Sequence, residues 1–382
     1  MRLKHLLQLI LVCAILAACG PTTRPSDLRN PSGTFLPGED NAGVSEEVIS
    51  PSPQPQSPPK TPHAELPGVG PGGFPAGVNP LTGLKVDDPE VLERRPVGVK
   101  INNYPRSDRP QWGLSLADIV YEYYHNNELP RFHAIFYGQN AETVGPIRSA
   151  RPFDGYLVEM YKLNFVFASA DSRVLERLVV ANYSERLIYQ LDGECPPYPV
   201  CRHNPNGDNY LITNTAVIEF FLGQNARQPD LDGMWFYDSM PDGGYPVERL
   251  YLRYSFSAYL YWKYDPKTDT FLRFQDIRED VGGAGEAYQP LTDRLNDRQI
   301  SAANVVVLVI PHLHRVYQPP QGGQPAIEIV DMEFSGSGPA YALRGGRLYE
   351  VRWVRPNKQS VLYLEFPDGN PYPYAPGNTW YQ

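Results

Sequence analysis

The chain has 382 residues, 42% of them hydrophobic and 12% aromatic, enough to bury at least one substantial core and, by length, to form two domains. Its 34 basic residues stand against 43 acidic ones, a formal net charge of −9. That balance excludes nucleic-acid binding by bulk electrostatics and predicts mild repulsion from anionic lipid unless basic residues cluster locally.

The first twenty residues predict an export signal. Arg2 and Lys4 precede an apolar run from Leu6 to Ala18, followed by Cys19 and Gly20. A membrane-spanning helix needs about 20 apolar residues and a signal core about 7 to 15, so the run is too short to span. Leu16-Ala17-Ala18-Cys19 has the form of a lipobox: small residues suit the signal peptidase, and the Cys19 thiol accepts the diacylglycerol. Cleavage removes residues 1–18 and takes the net charge to −11. The expected product is a lipoprotein with acyl chains such as palmitate on Cys19, held by membrane lipid on the extracytoplasmic face of a bacterial membrane. A plain secretory signal cut at Ala18 is the alternative, and would release a soluble protein.

From Cys19 to Val78 the sequence is rich in proline, glycine and serine, with 14 of the 40 prolines between residues 21 and 80. No apolar periodicity interrupts it, which predicts a disordered tether. A flexible coil of about 60 residues spans roughly 45 Å. An α+β fold is expected beyond it, as a mixed α/β domain over 79–246 and an antiparallel β-rich domain over 247–382. In the first, strands are predicted at Pro96–Asn102, Asp118–Tyr124, Phe132–Tyr137 and Phe165–Ala168, with helices over 152–163, Arg173–Val180 and Thr215–Leu222. Cys195 and Cys201 close a small loop, which outside the cytoplasm predicts a disulfide. In the second, Val247–Tyr254, Tyr259–Tyr264, Asn304–Ile310, Ala326–Met332 and Val361–Phe366 read as strands, and Gly345-Gly346 as a hairpin turn.

Several of these segments carry a resemblance. Pro80-Leu81-Thr82-Gly83, Arg109-Pro110-Gln111, Ala117-Asp118-Ile119-Val120-Tyr121-Glu122, Arg131-Phe132, Gly145-Pro146-Ile147-Arg148-Ser149-Ala150-Arg151-Pro152 and Pro376-Gly377-Asn378-Thr379-Trp380 together resemble the YerB-like lipoproteins. That family has characteristic amino- and carboxy-terminal halves, and the likeness spans most of 79–382. The chain departs from the family at Asn102 or Asn103, where an Asp is frequent. It departs again at His203–Thr213, where the family has a compact element and this chain has an apparent insertion. The resemblance implies a two-part envelope lipoprotein and supplies no activity and no catalytic residues.

The candidate chemistry lies at Arg148-Ser149-Ala150-Arg151-Pro152, between a predicted strand and a predicted helix. Two guanidinium groups, the Ser149 hydroxyl and the free amides of a helix start suit a phosphate or carboxylate. Arg106 and Arg109, on the loop after the first strand, are candidates for the same cleft. The competing reading has all these arginines locking loops against Asp118, Asp154 or carbonyls. Asp118 and Asp154 are also the candidate carboxylates for an enzyme. No metal and no cofactor is expected: the metallohydrolase, nucleophile-elbow and phosphate-loop signatures are missing, and His312 and His314 read as a solvated strand end. The favoured expectation is a binding or scaffolding protein for a cell-wall glycan, an anionic polymer or an envelope protein. The alternative is a hydrolase or transferase acting on wall polymer or lipid-linked glycan.

Overall fold

A computed structural model of the chain describes residues 67–382, apart from 127, 190–191, 196–197, 205–209, 223–227 and 319–325. The signal segment 1–18, Cys19 and the tether up to residue 66 lie outside the described residues. Among those described, no helix is long and apolar enough to cross a membrane.

In the first half, β1 (Val97–Ile101), β2 (Ile119–Asn126) and β3 (Leu129–Phe136) lead into α1 (Pro152–Met160), β4 (Asn164–Val166), α2 (Ser172–Val179) and β5 (Leu187–Ile188). Helix α1 starts where the sequence permits it: Pro152 occupies the first turn, and Asp154 Oδ2 accepts the Arg151 N–H at 2.7 Å. Three short strands follow, β6 (Asp192–Gly193), β7 (Val200–Arg202) and β8 (Leu211–Thr213), and then α3 (Ala216–Leu222). Cys195 and Cys201 form a disulfide beside them, with Cα atoms 5.6 Å apart.

In the second half the regular elements described are all strands: β9 (Tyr245–Pro246), β10 (Arg249–Arg253), β11 (Tyr259–Asp265), β12 (Thr270–Asp276), β13 (Tyr288–Pro290), β14 (Ser301–Ala302), β15 (Asn304–Leu308), β16 (His312–Tyr317), β17 (Ile327–Met332), β18 (Gly336–Arg344), β19 (Arg347–Arg355), β20 (Tyr363–Glu365) and β21 (Thr379–Tyr381). Strands β18 and β19 are joined through Gly345 and Gly346, whose φ angles of 53° and 70° suit the tight hairpin turn the sequence predicts. The protein is thus mostly sheet with few helices.

The expected boundary at 246/247 falls within a single architecture. One eleven-stranded sheet runs β20-β19-β18-β15-β21-β2-β3-β1-β4-β5, with β9 added to β19. The last strand, β21, lies parallel between β2 of the first half and β15 of the second, pairing Val120 with Trp380 and Val305 with Trp380. Alternation then sends residues to opposite faces. Tyr121, Tyr381 and Val306 join one core with Phe153, Leu157 and Met160 of α1. Val120, Trp380 and Val305 join the other, beneath Trp262 and Phe271 of the second sheet, β10-β11-β12-β13 with β14.

The tether also ends earlier than expected. Residues 67–78 lie on the body: Val69 and Phe236 exchange backbone hydrogen bonds of 2.9 and 2.8 Å, Trp235 Nε1 donates to the Pro67 carbonyl at 2.8 Å, and Phe74 packs against the core. Pro67–Val78 is therefore a strap, placed by backbone pairing that its proline- and glycine-rich composition conceals.

Candidate functional site

The Arg148–Pro152 segment leads from the sheet into α1. Arg148 N donates to the Lys100 carbonyl at 2.9 Å, and Ala168 N donates to the Arg148 carbonyl at 3.0 Å, so the backbone is gripped from both sides. The Ser149 hydroxyl meets that of Ser169 at 3.0 Å. The Arg148 side chain is 45% exposed and its nearest carboxylate, Asp108 Oδ2, is 3.9 Å away. It opens into a cleft of about 430 Å³ lined also by Asp108, Ser149, Ser169, Arg202 and Tyr210.

Arg151 is half-buried, with Nη1 donating to the Ala150 carbonyl at 2.9 Å and Nε to His125 Nδ1 at 3.4 Å. Arg131 of β3, which the sequence reading did not select, reaches the same segment through a 3.1 Å hydrogen bond to the Ser149 carbonyl. Burial, with Arg151 and Arg148 beside it, pulls the Arg131 guanidinium down to about 9. Burial, then Arg131 and Arg151, push the neighbouring His125 well below its ordinary value, so this imidazole is neutral. The one signal for Arg131 was its place two residues before His133 on a strand, which puts both on one face.

Asp154 meets these arginines through Oδ2, which accepts the Arg151 backbone N–H, and among the described residues it makes no ion pair with their guanidinium groups. It is wholly buried, and its Oδ1 accepts from Tyr123 OH at 2.7 Å, His133 Nδ1 at 2.9 Å and Lys100 Nζ at 3.2 Å. Burial works against the ionised carboxyl, but Lys100 and His133 outweigh it and hold Asp154 well below the usual carboxylate range. Burial in turn lowers Lys100 to about 7 against the pull of Asp154. His133 stacks on Phe165 with centroids 4.7 Å apart, and a Cβ on Gly98 would lie 2.4 Å from its Nε2, so β1 needs glycine there. This network is a floor that fixes the start of α1.

The structure separates the other candidates from this segment. Arg106 and Arg109 both bind Asp276 of β12: Arg106 Nε to Oδ2 at 2.5 Å, Arg109 Nη2 to Oδ1 at 3.3 Å, with Arg109 Nη1 also on the Asp276 carbonyl at 2.7 Å. They clamp the loop after β1 to the second half and do not join the Arg148 cleft. The reason is a partner about 170 residues downstream that no local pattern reveals. Asp118 is likewise elsewhere. It accepts from Asn79 Nδ2 at 2.9 Å and from the Tyr137 and Gly138 amides, and lines a different polar cleft of about 530 Å³. Burial outweighs these donors and pushes its carboxyl up to about 6.

The same halves appear in comparison with known proteins. Residues 81–204 match the N-terminal domain, and residues 250–381 the C-terminal domain, of the family described as protein of unknown function DUF3048. The chain belongs to this family. A relative from Bacillus subtilis (strain 168), described as "Putative lipoprotein YerB", is 29% identical over 310 residues, covering 79% of this chain and 84% of that protein. The crystal structure of YerB protein from Bacillus subtilis superposes with a TM-score of 0.62 at 25% identity, covering 79% of this chain and 94% of that one. The resemblance drawn from the motifs is thereby established, and the lipoprotein description of the relative agrees with the lipobox at Cys19. The two DUF3048 domains are halves in sequence, and β21 joins them into one sheet in space.

Proposed function

We propose that this DUF3048 chain is an extracytoplasmic lipoprotein, anchored through Cys19, whose folded head captures an anionic component of the cell envelope at Arg131, Arg148 and Arg151. The ligand class is phosphate or carboxylate borne by a wall glycan, an anionic polymer or an envelope protein. One observation carries the reading: Arg131 donates to the Ser149 carbonyl within electrostatic reach of Arg148 and Arg151, while the adjacent Asp154 has Oδ1 on Lys100, His133 and Tyr123 and Oδ2 on the Arg151 N–H. Burial, and after it the neighbouring Arg151 and Arg148, depresses Arg131, and a bound anion would offset the share due to the arginines. The proline-rich segment between Cys19 and Pro67 would set the head off from the lipid surface.

Binding is favoured over turnover because neither carboxylate can act beside these arginines. Asp154 is sealed in the floor, and Asp118 faces another cleft. Arg148→Ala combined with Arg151→Ala should weaken retention on an immobilised phosphate-rich wall polymer at least about tenfold and flatten its salt dependence. Unchanged retention would remove the site. Turnover of wall polymer or lipid-linked glycan that Asp154→Asn or Asp118→Asn abolishes, with retention intact, would replace the binder by the enzyme.

A further inference from the structure

His312 and His314 read from sequence as the solvated end of a strand, and the structure instead makes them the start of a new one, β16, paired with β17. Residues two apart on a strand project to the same side. Their imidazole rings lie 6.3 Å apart, centroid to centroid, at an interplanar angle of 29°. Tyr124 of β2 buttresses both, with its ring 6.1 Å from His312 and 5.9 Å from His314. Both histidines are exposed.

What selects a ligand is the orientation of each ring. His312 Nδ1 lies 2.8 Å from the Ile310 carbonyl, and His314 Nδ1 lies 2.8 Å from Glu328 Oε1 across the hairpin. A carbonyl oxygen and a carboxylate oxygen act as acceptors here, so in its neutral form each imidazole carries its proton on Nδ1. The lone pair of each ring is then on Nε2. A backbone carbonyl on one ring and a carboxylate on the other are the partners that orient metal-ligating histidines.

We infer that His312 and His314 form a two-imidazole binding site for a divalent d-block cation on the exposed face of the β16–β17 hairpin, with Glu328 as the residue that positions His314. Among the described residues there is no cluster of three or more His, Cys, Asp and Glu side chains suited to a metal. The site therefore supplies two protein ligands and leaves the remaining positions to water or an external donor, which makes it an exchangeable site rather than a closed structural one. Imidazole ligation without thiolate, in an open site, favours Cu²⁺ over Ni²⁺ and Zn²⁺. The inference stands on β16 and β17 and is independent of the arginine cluster.

The test is titration of the untagged, membrane-extracted full chain with Cu²⁺ in a non-coordinating buffer, followed by calorimetry and electron paramagnetic resonance. One equivalent should bind, with a spectrum showing two imidazole nitrogens. His312→Ala and His314→Ala should each weaken binding at least about tenfold. Glu328→Gln should weaken it about tenfold without changing the stoichiometry, the usual size of an outer-shell loss. Circular dichroism would establish that these surface variants remain folded. Wild-type affinity in the His312→Ala/His314→Ala double variant would overturn the assignment and move the metal to another donor such as His203 or His63. So would the absence of saturable Cu²⁺ binding by the wild type.

Discussion

Asp118 and Asp154 are the same residue type, both buried, and driven in opposite directions. Asp154 sits against Lys100 and a hydrogen-bonded histidine, so ionisation is favoured. The nearest groups to Asp118 are neutral donors, and burial prevails, raising its carboxyl from 3.8 to about 6. Between about pH 4 and pH 6 the folded state therefore holds a proton on Asp118 that the unfolded chain has released. Stability must fall as pH rises through that window, by up to about 3 kcal/mol from this group. In urea unfolding at a series of pH values, Asp118→Asn should gain on the wild type across that interval and hold a constant advantage above it. A gap that does not change with pH would refute the assignment. The arginines teach a related lesson. Arg106, Arg109, Arg148 and Arg151 look alike along the chain, and whether each is paired or available depends on carboxylates and carbonyls brought in by the fold.

At the scale of elements, local pattern was a good guide where the cause is local. Alternation placed β2, β11 and β17 within a residue or two, Pro152 marked the start of α1, and Gly345-Gly346 marked the β18–β19 turn. It failed at the strap, because Pro67–Val78 has no periodicity of its own and takes its conformation from Trp235 and Phe236. A chain beginning at Asn79 loses the Val69–Phe236 pairing, the acceptor of Trp235 Nε1 and the cover that Phe74 provides. It should be roughly 2 to 4 kcal/mol less stable than one beginning at Pro67, from lost hydrogen bonds and apolar burial. Tryptophan emission should shift to the red in the shorter chain. Equal urea midpoints and identical emission would show that the strap contributes nothing.

At the scale of the molecule, the halves are fastened by more than the sheet. Arg273 of β12 reaches Glu122 of β2 at 2.8 Å in a fully buried pair, Asp276 takes Arg106 and Arg109, and Asp293 accepts from the Gly113 and Ser115 amides. Cutting the chain at 246/247 exposes the β2 edge on one fragment and leaves β21 unpaired on one side in the other. Fragments 67–246 and 247–382 should each fail to give a cooperative thermal transition alone. Refolded together, they should form a one-to-one complex that does. A cooperative transition in either fragment by itself would restore the two-domain view.

The sequence by itself determined what short-range physics controls. The apolar run of limited length before Cys19, the periodicity of single strands and helices, the start of α1, and the small Cys195–Cys201 loop each depend on residues a few positions apart. Only the tertiary structure decided which charges are spent and which are available, that the first and second halves share one sheet through β21, and that Arg131 joins Arg148 and Arg151. Those outcomes depend on desolvation and on strand pairing between residues more than a hundred positions apart in several cases. A composition or a spacing carries no record of them.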